Sequence, residues 1–380
     1  MSPVDLSGVP IVDNHAHPLT RGQPQDAESF RRAFSEAHSP LLAREHVQWA
    51  VHYRWALRQL GEVLGVEPSE EAILQRRSEA RLLEYAHRLV NHARIAWLLL
   101  DEGYPPPQGA YPSSELEDAL GVRIGPILRL ETLVQELIVR HDSFEETVDA
   151  FDRRVSQARE DGYVSLKSIA AYRTGLAIEE VRDDRAEQAF QPVRRQAAET
   201  GSVRLASKPL IDFFVWRGLR HAAAQRLPVQ FHTGYGDPDL DLRLANPLHL
   251  RALFEDESLL EAPIVLLHES YPYTAEAAYL AVSYPNAYLD LAYALPPLDR
   301  LELLRVTRVA LGAAPAGKLL VSSDGIGIPE HYWLGAVRAR SIVGDVLSEM
   351  VEANELDEDT AQTMGRMILH DNAVRVYGLA

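Results

Sequence analysis

The amino-acid sequence predicts an α/β fold, specifically a (β/α)8 TIM barrel with a helical insertion after the first strand. Eight short apolar runs alternate with segments long enough for helices, which is the strand count of such a barrel. A doubly wound open sheet is the alternative, but the first run lacks the glycine-rich phosphate-binding sequence that follows it in those sheets. We therefore expect residues 1–380 to form one barrel domain that includes the insertion.

The eight predicted strands consist mainly of apolar and β-branched residues, as expected for strands buried in a parallel sheet. They cover residues 11–15, 95–100, 127–131, 163–169, 229–232, 264–268, 287–291 and 319–323. The insertion lies at about residues 26–93, where apolar residues recur at helical spacing. Further helices are predicted from 132 to 160, from 177 to 226 with a break near Gly201, and from 331 to 380.

The composition favours a protein that acts on small molecules. A formal net charge of -17 would repel phosphates over most of the surface, which argues against nucleic acid and anionic membranes as partners. No stretch approaches the ~20 apolar residues of a membrane span, and the N-terminus lacks the basic and apolar regions of a signal peptide. We expect a cytoplasmic protein, and the composition leaves homo-oligomerisation open.

Potential metal ligands lie at the ends of five predicted strands. They are His15 and His17 at the end of the first strand, Lys167 in the fourth, His232 ending the fifth, His268 ending the sixth and Asp324 after the eighth. Residues i and i+2 of an extended chain point to one face, so the first two histidines share a direction. The carboxyl ends of barrel strands meet at the catalytic face. One such histidine alone is often an ordinary core residue, but the joint pattern predicts a metal site.

The residue types restrict which metal could bind. The sequence has no cysteine, so a metal must be held by nitrogen and oxygen ligands. Neutral imidazoles and a carboxylate suit a divalent cation such as zinc, with manganese and iron as rivals. Lysine is rare in this chain, and unlike arginine it can lose its proton.

The pattern of strand-end ligands resembles the amidohydrolase superfamily of metal-dependent hydrolases. That superfamily carries His-x-His on strand one, Lys or Glu on strand four, His on strands five and six, and Asp on strand eight. Five motifs are similar to the amidohydrolase domain that some fungal and plant proteins carry fused to a glutamine-synthetase-like domain. They are residues 12–17 (VDNHAH), 166–176 (LKSIAAYRTGL), 231–237 (FHTGYGD), 243–251 (RLANPLHLR) and 267–273 (LHESYPY). The resemblance covers nearly the whole chain except the insertion.

The resemblance implies one or two divalent ions and a modified lysine. The implied ligands are His15, His17, Lys167, His232, His268 and Asp324. An ordinary lysine ammonium cannot ligate, but the resemblance implies that Lys167 is N6-carboxylated to a carbamate, whose two oxygens can bridge two metals. If Lys167 stays cationic, it pairs with an acid such as Asp324 or holds an anionic substrate, and one ion binds.

The expected reaction is metal-assisted hydrolysis of a C–N bond in an amide, imine or amidine of a small polar, carboxylated molecule. A bound divalent metal lowers the pKa of its water toward ~7 and supplies hydroxide. Asp324 is the predicted general base, which takes the proton and returns it to the leaving nitrogen. His268 would instead polarise the substrate if a single metal binds.

Candidate substrate-binding residues follow strands four, five and six. Tyr172 with Arg173, and Arg243 in the loop after strand five, are candidates for a carboxylate clamp, because a guanidinium presents two parallel donors. Tyr235 and Tyr271 are candidates for the pocket wall. A packing or loop-anchoring role is equally consistent with each of these residues.

Other polar residues near the strand ends are interpreted as support for the site. Asp101 and Arg129, with Glu131, are predicted to form a structural ion pair at the barrel mouth. His249 and His331 are candidates for contacts behind the ligands.

Other functions are also consistent with the sequence. Some branches of the superfamily are non-oxidative decarboxylases with a single metal, and others isomerise sugar acids. A non-catalytic sensor on this fold is a third interpretation, which the complete ligand set disfavours.

Overall fold

The computed structural model describes residues 4–380, so residues 1–3 of the expected domain lie outside the described part. An eight-stranded parallel sheet forms the centre of the molecule, and each strand pairs with the next along the chain. The strands are β1 (Ile11–Ala16), β2 (Ile95–Asp101), β3 (Arg123–Arg129), β4 (Ser165–Ser168), β5 (Val229–Phe231), β6 (Ile264–Leu266), β7 (Ala287–Ala292) and β8 (Leu319–Ser322).

The first and last strands are joined at their carboxyl ends. The backbone N–H of Asp324 donates to the carbonyl of His15 at 3.0 Å, and that of His17 donates to the carbonyl of Gly325 at 2.8 Å. The sheet therefore curves back on itself, and the predicted (β/α)8 barrel is confirmed.

Helices surround the sheet and make up the insertion. They are α1 (Ala27–Ala33), α2 (Val51–Leu64), α3 (Glu70–Ser78), α4 (Leu82–His92), α5 (Ser113–Leu120), α6 (Leu130–Arg140), α7 (Phe144–Ser156), α8 (Asp183–Thr200), α9 (Lys208–Gln225), α10 (Arg251–Glu255), α11 (Thr274–Ser283), α12 (Arg300–Ala313), α13 (Pro329–Glu352), α14 (Glu358–Arg366) and α15 (Asn372–Tyr377). Within residues 4–380, no helix is both long and apolar enough to cross a membrane.

The insertion between β1 and β2 consists of α1 to α4, as predicted. A capping box starts α1, in which the Asp26 carboxylate accepts from Ser29 N and the Ser29 hydroxyl faces the backbone N–H of Asp26. Arg77 of α3 donates through Nε to Glu330 of α13 at 2.6 Å, and both side chains are buried. This ion pair fixes the insertion against the barrel.

The third strand begins at Arg123 rather than at residue 127, and it ends at Arg129 rather than at residue 131. The prediction was wrong because Gly125 and Pro126 have the composition of a turn. In the barrel they lie inside β3, where a side chain on Gly125 would come within 2.7 Å of atoms of neighbouring side chains. A larger residue here would force Leu99 and Val164 to move.

The lower half of the barrel is filled by apolar side chains. Val12, Leu99, Ile127, Val265 and Leu320 form one buried cluster with Ala373, Val376 and Tyr377 of α15. Helix α15 thus packs against the end of the barrel opposite the candidate ligands, and its Tyr377 hydroxyl bonds Asn14 and Gln230 inside the barrel.

Candidate metal centre and its cavity

The predicted ligands meet at the carboxyl end of the barrel. His15 and His17 lie at the end of β1, and Lys167 lies within β4. His232 follows the last residue of β5, and His268 and Asp324 follow β6 and β8 by two residues.

His15 presents one nitrogen to this centre because Gln230 occupies the other. The ring Nδ1 lies 2.8 Å from Gln230 Oε1. The amide nitrogen of Gln230 donates to the Asn14 carbonyl at 2.7 Å and to the Tyr377 hydroxyl at 2.9 Å, so its oxygen must face the ring. The proton of His15 is therefore on Nδ1, and the Nε2 lone pair is free to ligate.

His17 is held in the same tautomer by the backbone. Its Nδ1 lies 3.0 Å from the carbonyl oxygen of Tyr104, which can only accept a hydrogen bond. The proton is therefore on Nδ1, and Nε2 faces the same centre as that of His15.

Asp324 lies between three histidines. Its Oδ1 is 3.4 Å from His15 Nε2 and 3.6 Å from His17 Nε2, and its Oδ2 is 3.4 Å from His268 Nδ1. The backbone of Asp324 is left-handed, with φ at 50°. Aspartate and asparagine adopt this conformation more readily than most residues, because their short side chains bond locally.

His232 and His268 form a second pair of imidazoles next to the first. Their ring centroids are 4.6 Å apart, and His232 Nε2 is buried without a hydrogen-bond partner in the described part of the chain. His268 begins a run of three residues with positive φ, of 63°, 50° and 51°, that ends at Ser270. Strained backbone of this kind is concentrated at functional sites.

Lys167 is fully buried beside these rings. Its Nζ lies 3.2 Å from His15 Nε2. Burial lowers the pKa of Lys167 to about 8, although nearby acids such as Asp101 oppose the shift. Within residues 4–380, Lys167 makes no ion pair with a carboxylate at 4.0 Å or less, so the alternative in which it pairs with Asp324 is not observed.

This donor set fits a divalent metal. Among the described residues, His15, His17 and Asp324 bring one ligand atom each within 4.8 Å of one another. Burial, reinforced by Lys167, lowers the pKa of both His15 and His232 well below the usual range, so their rings are neutral, which is the form that binds metals. The orphaned Nε2 of His232 and the carboxylate of Asp324, which has no arginine or lysine partner, are explained by a cation at this centre.

Gln230 provides a test of the ligand geometry. Replacing Gln230 by methionine removes the acceptor that fixes the His15 tautomer, and we expect metal affinity to fall about 10- to 100-fold. Competition with a chromogenic chelator measures this affinity. Gln225→Met is the matched control, because Gln225 also donates from a half-buried amide but lies on α9 away from the centre. Unchanged affinity in a folded Gln230→Met protein would contradict the assigned role.

A cavity of about 420 Å³ opens above the metal centre. The predicted site residues that line it are His15, His17, Lys167, Tyr172, Arg173, His232, Tyr235, His268 and Asp324. The ring of Tyr172 packs against that of His232, with centroids 4.4 Å apart. The volume suits a small molecule.

Arg243 and Tyr271 are not part of this cavity wall. The side chain of Arg243 is 87% exposed and pairs with Asp241 at 2.7 Å, because the turn between them brings the two side chains together. The ring of Tyr271 packs against that of Tyr235, which lines the cavity, with centroids 6.4 Å apart. The proposed clamp therefore lacks Arg243, and Arg173 lines the cavity without it.

The structure places some of the predicted supporting residues differently from the prediction. Arg129 pairs with Asp101 at 2.6 Å as predicted, and the Asp101 side chain is buried while that of Arg129 is partly buried. Glu131 does not join them, because β3 ends earlier and Glu131 accepts from the Ser168 hydroxyl at 2.7 Å. His249 is exposed on the surface.

His331 is buried in contact with the insertion rather than in the cavity wall. Its ring packs edge-on against that of Phe34, with centroids 4.9 Å apart. Burial lowers the pKa of His331 to about 3, so its ring is neutral. His331 therefore helps to seat the insertion on the barrel.

Several cavity residues were missed at the level of sequence. They are Glu36 and His38 after α1, Tyr104 after β2, Arg204 before α9, and Gly236, Asp237 and Asp239 after β5. Asp237 is the last residue of the motif at 231–237, which was a usable signal. Glu36 and Arg204 had none, since nothing in their local sequence distinguishes them from surface residues.

An eight-stranded barrel with these ligands at its carboxyl ends defines the class of metal-dependent TIM-barrel enzymes. The sequence model of the family described as Amidohydrolase matches residues 137–379. Protein fluG of Emericella nidulans is 34% identical over 399 aligned residues, which cover 97% of this chain and 46% of fluG. The chain thus spans about half the length of this curated relative.

Solved structures agree with the sequence comparison. A protein of Lactobacillus casei ATCC 334, described as a candidate metal-dependent hydrolase, superposes with a TM-score of 0.88 at 30% identity and covers 99% of this chain and 98% of its own. Uronate isomerase from Thermotoga maritima superposes with a TM-score of 0.68 at 14% identity, over 99% of this chain and 95% of its own, and shows the fold alone. The chain belongs to the amidohydrolase superfamily, which confirms the resemblance seen in the motifs.

Proposed function

We propose that this enzyme is a hydrolase that cleaves a C–N bond, in an amide, imine or amidine, of a small carboxylated molecule. The observation that carries the proposal is the convergence of His15 Nε2, His17 Nε2 and Asp324 beneath a cavity lined by Arg173. These residues would hold a divalent metal, which when bound would polarise a carbonyl or imine carbon and lower the pKa of water toward ~7. Zinc is the proposed ion, since neutral imidazoles with a carboxylate are its usual ligands.

Asp324 is the proposed proton carrier. It lies at the floor of the cavity with 13% of its side chain exposed, so substrate and water can reach it. The carboxylate is within 3.6 Å of three imidazoles, and burial lowers the pKa of two of them, His15 and His268, well below the usual range. Asp324 is thus placed to take a proton from the attacking water and to return it to the leaving nitrogen.

Lys167 is the proposed site of N6-carboxylation. Its lowered pKa leaves a substantial fraction of neutral amine near neutral pH, and the neutral amine is the form that attacks carbon dioxide. The neutral amine nitrogen joins the carbon of carbon dioxide and releases one proton. Together with the proton already lost from the ammonium form, two protons leave, and the buried cation becomes an anion. An anion beside His15 and near His232 would allow two metal ions to bind in place of one.

The test is a product assay on protein loaded with zinc and bicarbonate. The substrates are N-acyl amino acids, cyclic imides, amidines and side-chain amides of acidic amino acids, and the readout is release of amine, ammonia or newly formed carboxylate. Hydrolysis that disappears with a chelator and returns with zinc is the expected result. Carbon dioxide without amine would favour a decarboxylase, and conversion of sugar acids without hydrolysis would favour an isomerase. Absence of bound metal after purification without chelators would contradict all three.

A further inference from the structure

The cavity above the metal centre carries opposite charges on two walls. The arginine wall consists of Arg129, Arg173 and Arg204, and the acidic wall consists of Glu36 and Asp237. The protein as a whole is acidic, so three guanidinium groups in one small cavity are unexpected. The mechanism proposed above uses Arg173 alone and leaves the acidic wall without a role.

Arg173 is the member of the arginine wall that lacks a partner. Arg129 pairs with Asp101 at 2.6 Å, and Arg204 pairs with Asp239 at 3.0 Å. Arg173 makes no ion pair within residues 4–380, and its Nε is buried without a hydrogen bond. Burial lowers the pKa of Arg173, and the neighbouring Arg204 adds to the shift. An anionic group of a ligand would compensate this uncovered charge.

Among the described residues, the carboxylates of the acidic wall lack an arginine or lysine partner. Glu36 makes no hydrogen bond or ion pair with the described residues. Burial raises the pKa of Glu36 to about 8, and the nearby carboxylates of Asp324 and Asp237 add to the shift. Asp237 Oδ2 lies 3.6 Å from the mostly exposed ring of His38, and its Oδ1 accepts from the backbone N–H of Asp239 at 2.8 Å, so among the described residues no arginine or lysine pairs with it. A cationic group between these carboxylates would relieve their repulsion and favour the ionised form of Glu36.

A second metal ion is a poor occupant of the acidic wall. Among the described residues, only His15, His17 and Asp324 gather three ligand atoms within 4.8 Å. Glu36 and Asp237 lack a third ligand, whereas an ammonium group needs only two or three acceptors.

Tyr172 brings the acidic wall and the metal centre together. Its ring lies on His232, and its hydroxyl reaches Gly236, where any side chain would collide with it. The next residue in the chain is Arg173. Tyr172 thus contacts both a candidate ligand and the loop that carries Asp237.

We propose that the substrate is a zwitterionic amino-acid derivative, whose carboxylate binds Arg173 and whose ammonium group binds Glu36 and Asp237. This inference rests on the proposed C–N hydrolysis at the metal centre. An amino acid that carries its amide in the side chain keeps both charges and still offers a scissile C–N bond. Side-chain amides of acidic amino acids are thus the substrate class that fits the cavity.

A matched set of three compounds tests the inference on the zinc-loaded enzyme. They are the side-chain N-ethylamide of glutamate, its Nα-acetyl derivative without the ammonium charge, and its α-carboxamide derivative without the carboxylate. We expect kcat/KM to fall about 10- to 100-fold for each neutralised compound, since each leaves a charged protein group unpaired. Equal kcat/KM for all three compounds would overturn the inference.

Substitutions in the two walls test which protein group binds each charge of the substrate. Glu36→Gln should lower kcat/KM for the zwitterion, mainly through KM, and leave the Nα-acetyl compound unaffected. Arg173→Met should abolish discrimination against the α-carboxamide, and Arg173→Lys should restore part of it. Glu28→Gln is the control, because Glu28 lies on α1 close to Glu36 in sequence but pairs with Arg32 at the surface. Equal losses on all compounds in Glu36→Gln would contradict its role in recognition.

A binding measurement separates this inference from the proposed reaction. Glutamate, which has both charges and no amide, should raise the Tm of the metal-free wild type and should not raise that of Glu36→Gln or Arg173→Met. If glutamate binds in this way and no amide is hydrolysed, the C–N hydrolase assignment fails while the charge recognition stands. If amides are hydrolysed and the ammonium group has no effect on turnover or on Tm, the zwitterion inference fails.

Discussion

Asp324→Asn is expected to lower kcat about 10³-fold without unfolding the protein, which is the usual loss when a proton-transfer group is removed. Asparagine has the same shape, and it tolerates the left-handed backbone at this position, where φ is 50°. An amide cannot accept the proton from water, so the chemical step is lost while the cavity is retained. Steady-state kinetics on the best substrate of the panel, with zinc content measured on the same sample, provides the comparison.

The control for Asp324→Asn is Asp212→Asn. Asp212 is a buried carboxylate paired with Lys208 on α9, so this variant loses a buried charge outside the cavity. We expect Asp212→Asn to change Tm and not kcat. Asp324→Asn with normal zinc content and less than about tenfold loss of kcat would show that another group carries the proton.

Lys167→Met is expected to lower kcat about 10²- to 10³-fold, the loss typical of removing one electrostatic group from a catalytic centre. Methionine fills a similar volume in this buried site but can be neither a carbamate nor a cation. Wild-type protein loaded with zinc in bicarbonate should contain two ions per chain, and the variant should contain one at most. Elemental analysis and labelling with ¹³C-bicarbonate measure the two quantities.

Lys318 offers a close control for carboxylation. Burial lowers its pKa to about 8, as it does for Lys167. Its Nζ is surrounded by backbone carbonyls, including that of Ala287 at 3.2 Å, at the opposite end of the barrel from the metal centre. We expect no label on Lys318 and full activity in Lys318→Met. Full activity and two zinc ions in Lys167→Met would exclude a bridging carbamate.

The metal centre was predictable because its residues lie in strands or within two residues of strand ends. Alternation along β1 places His15 and His17 on one side, and parallel pairing brings the carboxyl ends of all strands to one face of the barrel. Backbone geometry and hydrogen bonding set both the alternation and the parallel pairing. Correct identification of the strands is therefore enough to predict that His232, His268 and Asp324 lie at the same end of the barrel. An error of a few residues in β3 did not disturb this, because β3 supplies none of the predicted ligands.

The walls of the cavity depend on how loops and the insertion pack. Glu36 reaches the cavity because Arg77 and Glu330 hold the insertion on the barrel, and these residues are far apart in sequence. Arg243 was expected in the cavity but pairs with Asp241 two residues away. The sequence by itself determined the barrel, which follows from local periodicity, and the superfamily, whose motifs it resembles. The full ligand set stays a prediction, of which His15, His17 and Asp324 lie together in the structure. Only the tertiary structure decided the His15 and His17 tautomers and the two charged walls, because these depend on contacts between segments that no local pattern specifies.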